Sequence, residues 1–265
     1  MGNSSNRSTA TYLYGIVRGL SAEPPSLPAV GDADAEIRSI EAASGVAIVS
    51  DVADAFVEAT AEDLQRHSDV LQALLASTDA LVPLRFGTVY PDEQTILREL
   101  LDGRADELDA LVQGIENRVE ARLKAFYIEG AILGEIVAQQ PQVAELRRRT
   151  QTLPADATFY DRIRLGELVA SALSARRRRD GERILSRLAP LAVDYSVEEE
   201  SHEWSVLTAS FLVERSAVDA FQSAVAALAE ADEQRLQMRC LAPLPPYSFV
   251  SLSREPIDAE AAWVS

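Results

Sequence analysis

The sequence predicts an α+β protein of two domains: a modified ferredoxin-like domain with an added helical hairpin, then an α+β domain with a helix-rich start. Three observations carry that prediction. Short segments with period-2 alternation, rich in aromatic and β-branched residues, occur near both ends of the chain. Period-3.6 apolar stripes lie between them. From about residue 130 to residue 191 the pattern is helical, with a break at "TQTLPADA", which separates the strands into two groups. The expected division is a disordered N-terminus over residues 1–10, a ferredoxin-like domain over 11–128 and a helix-rich domain over 129–265.

The elements follow in order. "TYLYGIVRGL" (residues 11–20) alternates and places Tyr12, Tyr14 and Ile16 on one face, so it reads as a strand. After a proline-rich loop, "GVAIVSDV" (45–52) is a second strand. Thr60 followed by Glu62 and Asp63 marks a helix N-terminus, and Leu64, His67, Leu71 and Leu74 form its apolar stripe. "ALVPLRFGTVYPDEQ" (80–94) opens as a third strand with Arg85 in its middle. "PDEQTILRELL" and "ADELDALVQGI", broken by Asp102-Gly103, form the helical hairpin. "NRVEARLKAFY" (117–127) closes the first domain as its fourth strand, with Val119, Ala121, Leu123 and Ala125 on one face and Arg118, Glu120, Arg122 and Lys124 on the other.

In the second domain a helix from Asp156 carries Phe159, Ile163, Gly166, Ala170 and Leu173 on one stripe. Gly166 there suggests close approach of another element, and Arg176–Arg179 with the following Asp-Gly is expected to end or bend the helix. Strand patterns return in "VDYSVEE" and "EWSVLTASFLVER". Ser216 then caps a helix over "AVDAFQSAVAALAEA", and "QRLQMRCL" is a last strand with Leu236, Met238 and Cys240 on one side.

Composition narrows the function. A net charge of −17 argues against nucleic acid and against an anionic membrane as partners. No segment reaches 18 apolar residues, so no membrane span is expected, and without a signal-peptide pattern the expected compartment is the cytoplasm. The charge is uneven: residues 144–190 hold eleven Arg against six Asp and Glu.

Chemistry is equally constrained. Two histidines and one cysteine leave no usual zinc set. There is no phosphate-binding glycine loop and no nucleophile elbow. His67 on an apolar stripe reads as a packed core residue, and Cys240 as a small core hydrophobe. No catalytic residues, metal ligands or cofactor-binding residues are identified, and the protein is not expected to be an enzyme.

Five stretches occur in a fixed order: "YLYGIV", "LVPLRFGTVY", "RVEARLKAFY", "FYDRIRLGELV" and "PLPPYSFV". Together, from Tyr12 to Val250, they resemble the gas vesicle accessory proteins of the GvpL/GvpF family. The resemblance implies a non-enzymatic assembly factor or minor structural component. It would bind the hydrophobic major shell subunit of the gas vesicle and other accessory proteins, support nucleation and formation, need no cofactor, and be found with the vesicle. A soluble acidic protein that covers an apolar subunit would keep the pair dispersed. The candidate partner-binding residues are Tyr12, Tyr14, Arg85 and Phe86. Arg85 is expected to pair with a carboxylate or with carbonyls of a neighbouring element, clamping sheet to helix. By fold analogy alone, a small-ligand-sensing regulatory module is the alternative reading.

Overall fold

A computed structural model describes residues 10–19, 24–154, 156–199 and 202–252. Two compact units emerge, one formed by residues 1–118 with 245–265 and one by residues 119–244. The expected boundary after residue 128 thus falls earlier, after Arg118. The C-terminal segment from Pro245, expected in the second domain, groups with the first. The expected disorder of residues 1–10 lies outside the described residues, apart from Ala10, which opens the first strand.

The first unit is built on β1 (Ala10–Arg18), the central strand of an antiparallel sheet. β1 pairs with β3 (Gly45–Val52) on one side. On the other it pairs with β4 (Ala80–Pro83) and the short β5 (Val89–Tyr90). β2 (Arg38–Ala42) lies outside β3, giving the order β2-β3-β1-β4. β3 and β4 both run against β1 and are therefore parallel to each other. α1 (Ala61–Ser77) connects them, which makes a split βαβ unit. The connection from β1 to β2 contains no helix among its described residues, which accounts for a modified ferredoxin-like pattern.

α1 begins where expected. The Thr60 hydroxyl accepts from the Asp63 amide at 3.1 Å, and His67, Leu71 and Leu74 are buried, whereas Leu64 is exposed. The helical hairpin consists of α2 (Glu93–Thr95), continued by a π-helical segment (Ile96–Asp102), and α3 (Ala105–Ile115). Its apolar residues pack with Leu13, Ile16, Ala47, Val49 and Val82 on one face of the sheet.

Two expectations about this unit need correction. Ile16 does not share a face with Tyr12 and Tyr14. A bulge between Leu13 and Gly15 inserts one residue, reverses the parity of the strand, and puts Leu13 and Ile16 in one cluster. Likewise, the stretch 80–94 is not one strand. It breaks after Pro83 into a turn, and Arg85 lies in that turn.

The second unit receives the strand expected to close the first. β6 (Arg118–Tyr127) pairs antiparallel with β9 (Leu236–Leu244) in the order β7-β8-β6-β9, where β7 is Asp194–Val197 and β8 is Ser205–Glu214. Its alternation is as expected, but alternation fixes faces and says nothing of which sheet supplies the partner. Glu120, expected to face outward, is buried and accepts a 2.7 Å hydrogen bond from the Ser210 hydroxyl.

Helices α4 (Glu129–Gln139), α5 (Pro141–Thr152), α6 (Phe159–Leu188) and α7 (Val218–Ala231) pack with this sheet around Leu123, Ile132, Ile184, Phe211 and Phe221. Ser216 does not cap α7, which starts two residues later with no side-chain cap. Nor is α6 broken at Arg176–Arg179. It runs for 30 residues, about 45 Å at helical rise. Arg176 and Asp180 are themselves buried, and Gly181 brings the helix against the Val206 carbonyl.

Candidate functional site

In the first unit, Tyr12 and Tyr14 are not a surface; both are fully buried. Their rings meet edge to face at 4.9 Å, His67 stacks on Tyr14, and Phe86 sits edge-on to His67 and Tyr12. The Tyr14 hydroxyl bonds Ser50 and the Val30 amide, and the other polar atoms of the cluster form one continuous relay. The Gly87 amide donates to the Tyr12 oxygen at 3.2 Å, Tyr12 lies 2.9 Å from His67 Nδ1, and His67 Nε2 lies 3.0 Å from the Tyr247 oxygen. The Tyr247 hydroxyl donates to the Leu84 carbonyl at 3.1 Å. Its single proton is thereby committed, so His67 must donate from Nε2 and accept at Nδ1 from Tyr12. Every group is used once, with the imidazole neutral. Burial is the cause: it pushes His67 down to about 4.

The relay fixes a turn. The Thr88 amide donates to the Arg85 carbonyl at 3.2 Å, and Gly87 has φ +80°. A left-handed residue at the third position defines a type II turn, which glycine adopts without strain. The turn is also tied to β1, through the Leu84 amide to Tyr14 O and the Leu13 amide to Thr88 O. Beside it lies a cleft of about 440 Å³. Leu84, Phe86, Tyr90 and Leu100 line it together with the strap formed by Val250 to Leu252.

Arg85 stands at the rim. It is exposed, and among the described residues its guanidinium makes no hydrogen bond or ion pair, so the expected clamp is not formed. Phe86 is half-buried against the relay. Of the four sequence candidates, then, the two tyrosines and Phe86 hold the turn, and Arg85 is what the turn presents. No pattern in the sequence marks Tyr247's part beyond its place in "PLPPYSFV".

In the second unit the buried polar centre is ionic. The Tyr127 hydroxyl donates to Asp180 at 2.6 Å. Arg235 forms a two-pronged pair with Asp180 at 3.0 and 2.7 Å and reaches Glu135 at 2.6 Å. Arg176 donates to the other Glu135 oxygen at 3.0 Å and to Gln139. Burial alone would raise the Asp180 carboxyl, but the Arg235 and Tyr127 hydrogen bonds and the Arg235 charge outweigh it and hold it below the usual range. The cluster ties together α4, α6, β6 and the start of β9, which is a structural task.

The same unit leaves a family-like stretch uncovered. In "FYDRIRLGELV", Phe159 is 59% exposed, Tyr160 82% and Ile163 48%, with Leu153 at 46% nearby. The buried residues of α6 begin only at Ala172. The expected stripe Phe159, Ile163, Gly166, Ala170 therefore faces outward, and only Leu173 is buried. A Cβ on Gly166 would meet nothing within 4 Å, so no close approach occurs there.

Among the described residues, no three His, Cys, Asp or Glu side chains gather as a metal site, and no helix is long and apolar enough to cross a membrane. Cys240 is half-buried, and burial pushes its thiol up, away from the reactive form.

A family model described as gas vesicle synthesis protein GvpL/GvpF matches residues 10–251. Gas vesicle protein F of Streptomyces sp. (strain CB03234) is 33% identical over 91% of this chain and 99% of its own length. Two crystal structures share the fold. GvpF from Anabaena sp. PCC7120 has a TM-score of 0.81 at 24% identity, covering 93% of this chain and 100% of that one. GvpF from Microcystis aeruginosa has a TM-score of 0.75 at 20% identity, covering 92% and 99%. The family match spans nearly the whole chain and takes in all five stretches quoted above: this protein belongs to the GvpL/GvpF family of gas vesicle synthesis proteins.

Proposed function

We propose that this protein is a gas vesicle assembly factor, accessory or minor structural, that binds the hydrophobic shell subunit and supports vesicle nucleation and formation. The observation that carries the proposal is the uncovered apolar row at the start of α6. Leu153, Phe159, Tyr160 and Ile163 do no work for the core of their own unit, yet three of them lie in or beside a stretch by which the family is recognised. Exposed clusters of this kind mark contact surfaces. The rest of the surface suits the task. A net charge of −17 keeps a complex with an apolar subunit dispersed through repulsion between complexes. Working beside the vesicle in the cytoplasm, the protein would shield the subunit until it joins the shell.

The test is to mix purified protein with freshly diluted shell subunit and measure how much subunit stays in the supernatant after centrifugation. The wild-type chain should keep most of it soluble. A triple variant, F159S/Y160S/I163S, should lose that effect with little change in melting temperature, because these side chains are about half or more exposed. Equal protection by the triple variant would remove the apolar row from the account. No protection by the wild type would remove the function.

A further inference from the structure

We propose that the cleft beside Arg85 is a second docking site, which takes a partner peptide segment carrying a carboxylate next to a large apolar side chain. It is independent of shell-subunit binding. Seven arginines of the first unit lie among its described residues, and six are engaged. Arg18, Arg38, Arg66, Arg98 and Arg104 form ion pairs, and Arg118 donates to the Gly114 carbonyl. The Arg85 guanidinium alone makes no hydrogen bond or ion pair to a described residue. This happens in a unit with nine arginines and no lysine against 23 aspartates and glutamates, where acidic partners are plentiful. Its backbone is held by the type II turn and by the relay beneath, so the side chain starts from a fixed point at the rim of the cleft.

The chemistry of the occupant follows from the walls. One unengaged guanidinium matches one carboxylate, by two parallel hydrogen bonds. A polyanion would meet a single cation in a strongly acidic unit and be repelled. Arg104, also on the wall, is occupied by Glu107 at 2.6 Å and adds no free charge. Leu84, Phe86, Tyr90, Leu100 and Leu252 offer an apolar floor, and about 440 Å³ is enough for a large side chain and its neighbours. The strap argues for a peptide over a small acid. Val250 is extended (φ −121°, ψ 128°), and among the described residues the backbone groups of Val250 to Leu252 have no partner. An extended segment laid along them would gain main-chain hydrogen bonds in the manner of an added strand.

The full chain is titrated into a fluorescein-labelled, end-capped peptide with the core Leu-Phe-Asp-Leu-Phe, and anisotropy is followed. Binding is expected. Replacing the peptide's Asp by Asn, or Arg85 by Gln (R85Q), should each weaken it about tenfold or more, as for loss of a charge-assisted pair. The two changes together should weaken it little further. F159S/Y160S/I163S, which tests the shell-subunit surface, should bind this peptide normally. No binding up to millimolar protein, or equal binding by R85Q, would overturn the proposal. Displacement by acetate as readily as by unlabelled peptide would also overturn it, in favour of a small-carboxylate site.

Discussion

The two units solve the same problem with opposite chemistry. Each ties elements far apart in sequence through a buried polar centre. In the first unit the centre is neutral, a relay of tyrosines and one histidine that joins residues 55 and 180 positions apart. In the second it is ionic, with Arg235 bridging Asp180 and Glu135 and Arg176 on the other Glu135 oxygen. A neutral relay places directional donors without a charge to desolvate, so it suits holding a turn in one shape. An ion cluster is strong only while every partner is present. The first unit accordingly presents a rigid cleft, whereas the second is a braced base from which the start of α6 projects its apolar row.

Breaking the ionic centre should have the largest effect. D180A strands the buried end of Arg235 and the Tyr127 hydroxyl, and a loss of about 3–5 kcal/mol is expected, measured by denaturant unfolding. D180L/R235M, which removes both charges, should lose clearly less. If the double variant is as unstable as the single one, the cluster is not the brace described.

Acid should separate the two centres next. An unfolded histidine titrates near 6.5 and His67 in the folded chain at about 4, so between those values the unfolded chain holds more protons. Stability from this group is complete above about pH 6.5 and falls as pH drops toward 4, by as much as about 3 kcal/mol. Asp180 is held below the usual carboxylate range, so its contribution is lost only in stronger acid. At pH 5, hydrogen exchange should therefore quicken in β1 and α1 before it does in α6. H67F should flatten the first unit's dependence between pH 6.5 and 4. Simultaneous loosening of both units in the wild type would contradict the contrast.

Smaller effects test the turn. G87A meets no atom within 4 Å, so its cost is only that of an alanine at φ +80°, about 1 kcal/mol. It should also weaken peptide binding at Arg85. R85M should change stability least, by less than about 0.5 kcal/mol, because the guanidinium has no partner to lose. A larger drop would restore the clamp.

Much of the fold was legible in the sequence because faces and ends are local. Thr60 announced α1, Asp102-Gly103 the hairpin break, and the alternation of β6 its inward residues. What was not legible depends on distant partners. β6 alternates equally well for either sheet, and only pairing with β9 decides. The bulge after Leu13 reverses the face of Ile16 without any residue that marks it. The apolar stripe of α6 looked like core because periodicity cannot distinguish a buried face from one reserved for a partner. Arg85 stood out in the sequence as a charge in an apolar stretch, but its lack of a described partner is a property of the folded turn. The relay under it needs His67 and Tyr247 together, and no spacing links them.

Hydrogen exchange of the protein with and without the shell subunit tests the central claim most directly. New protection is expected over residues 159–168, where the apolar row is, with the Arg85 turn unchanged. Protection confined to the first unit, or none at all under conditions where the subunit stays soluble, would contradict it.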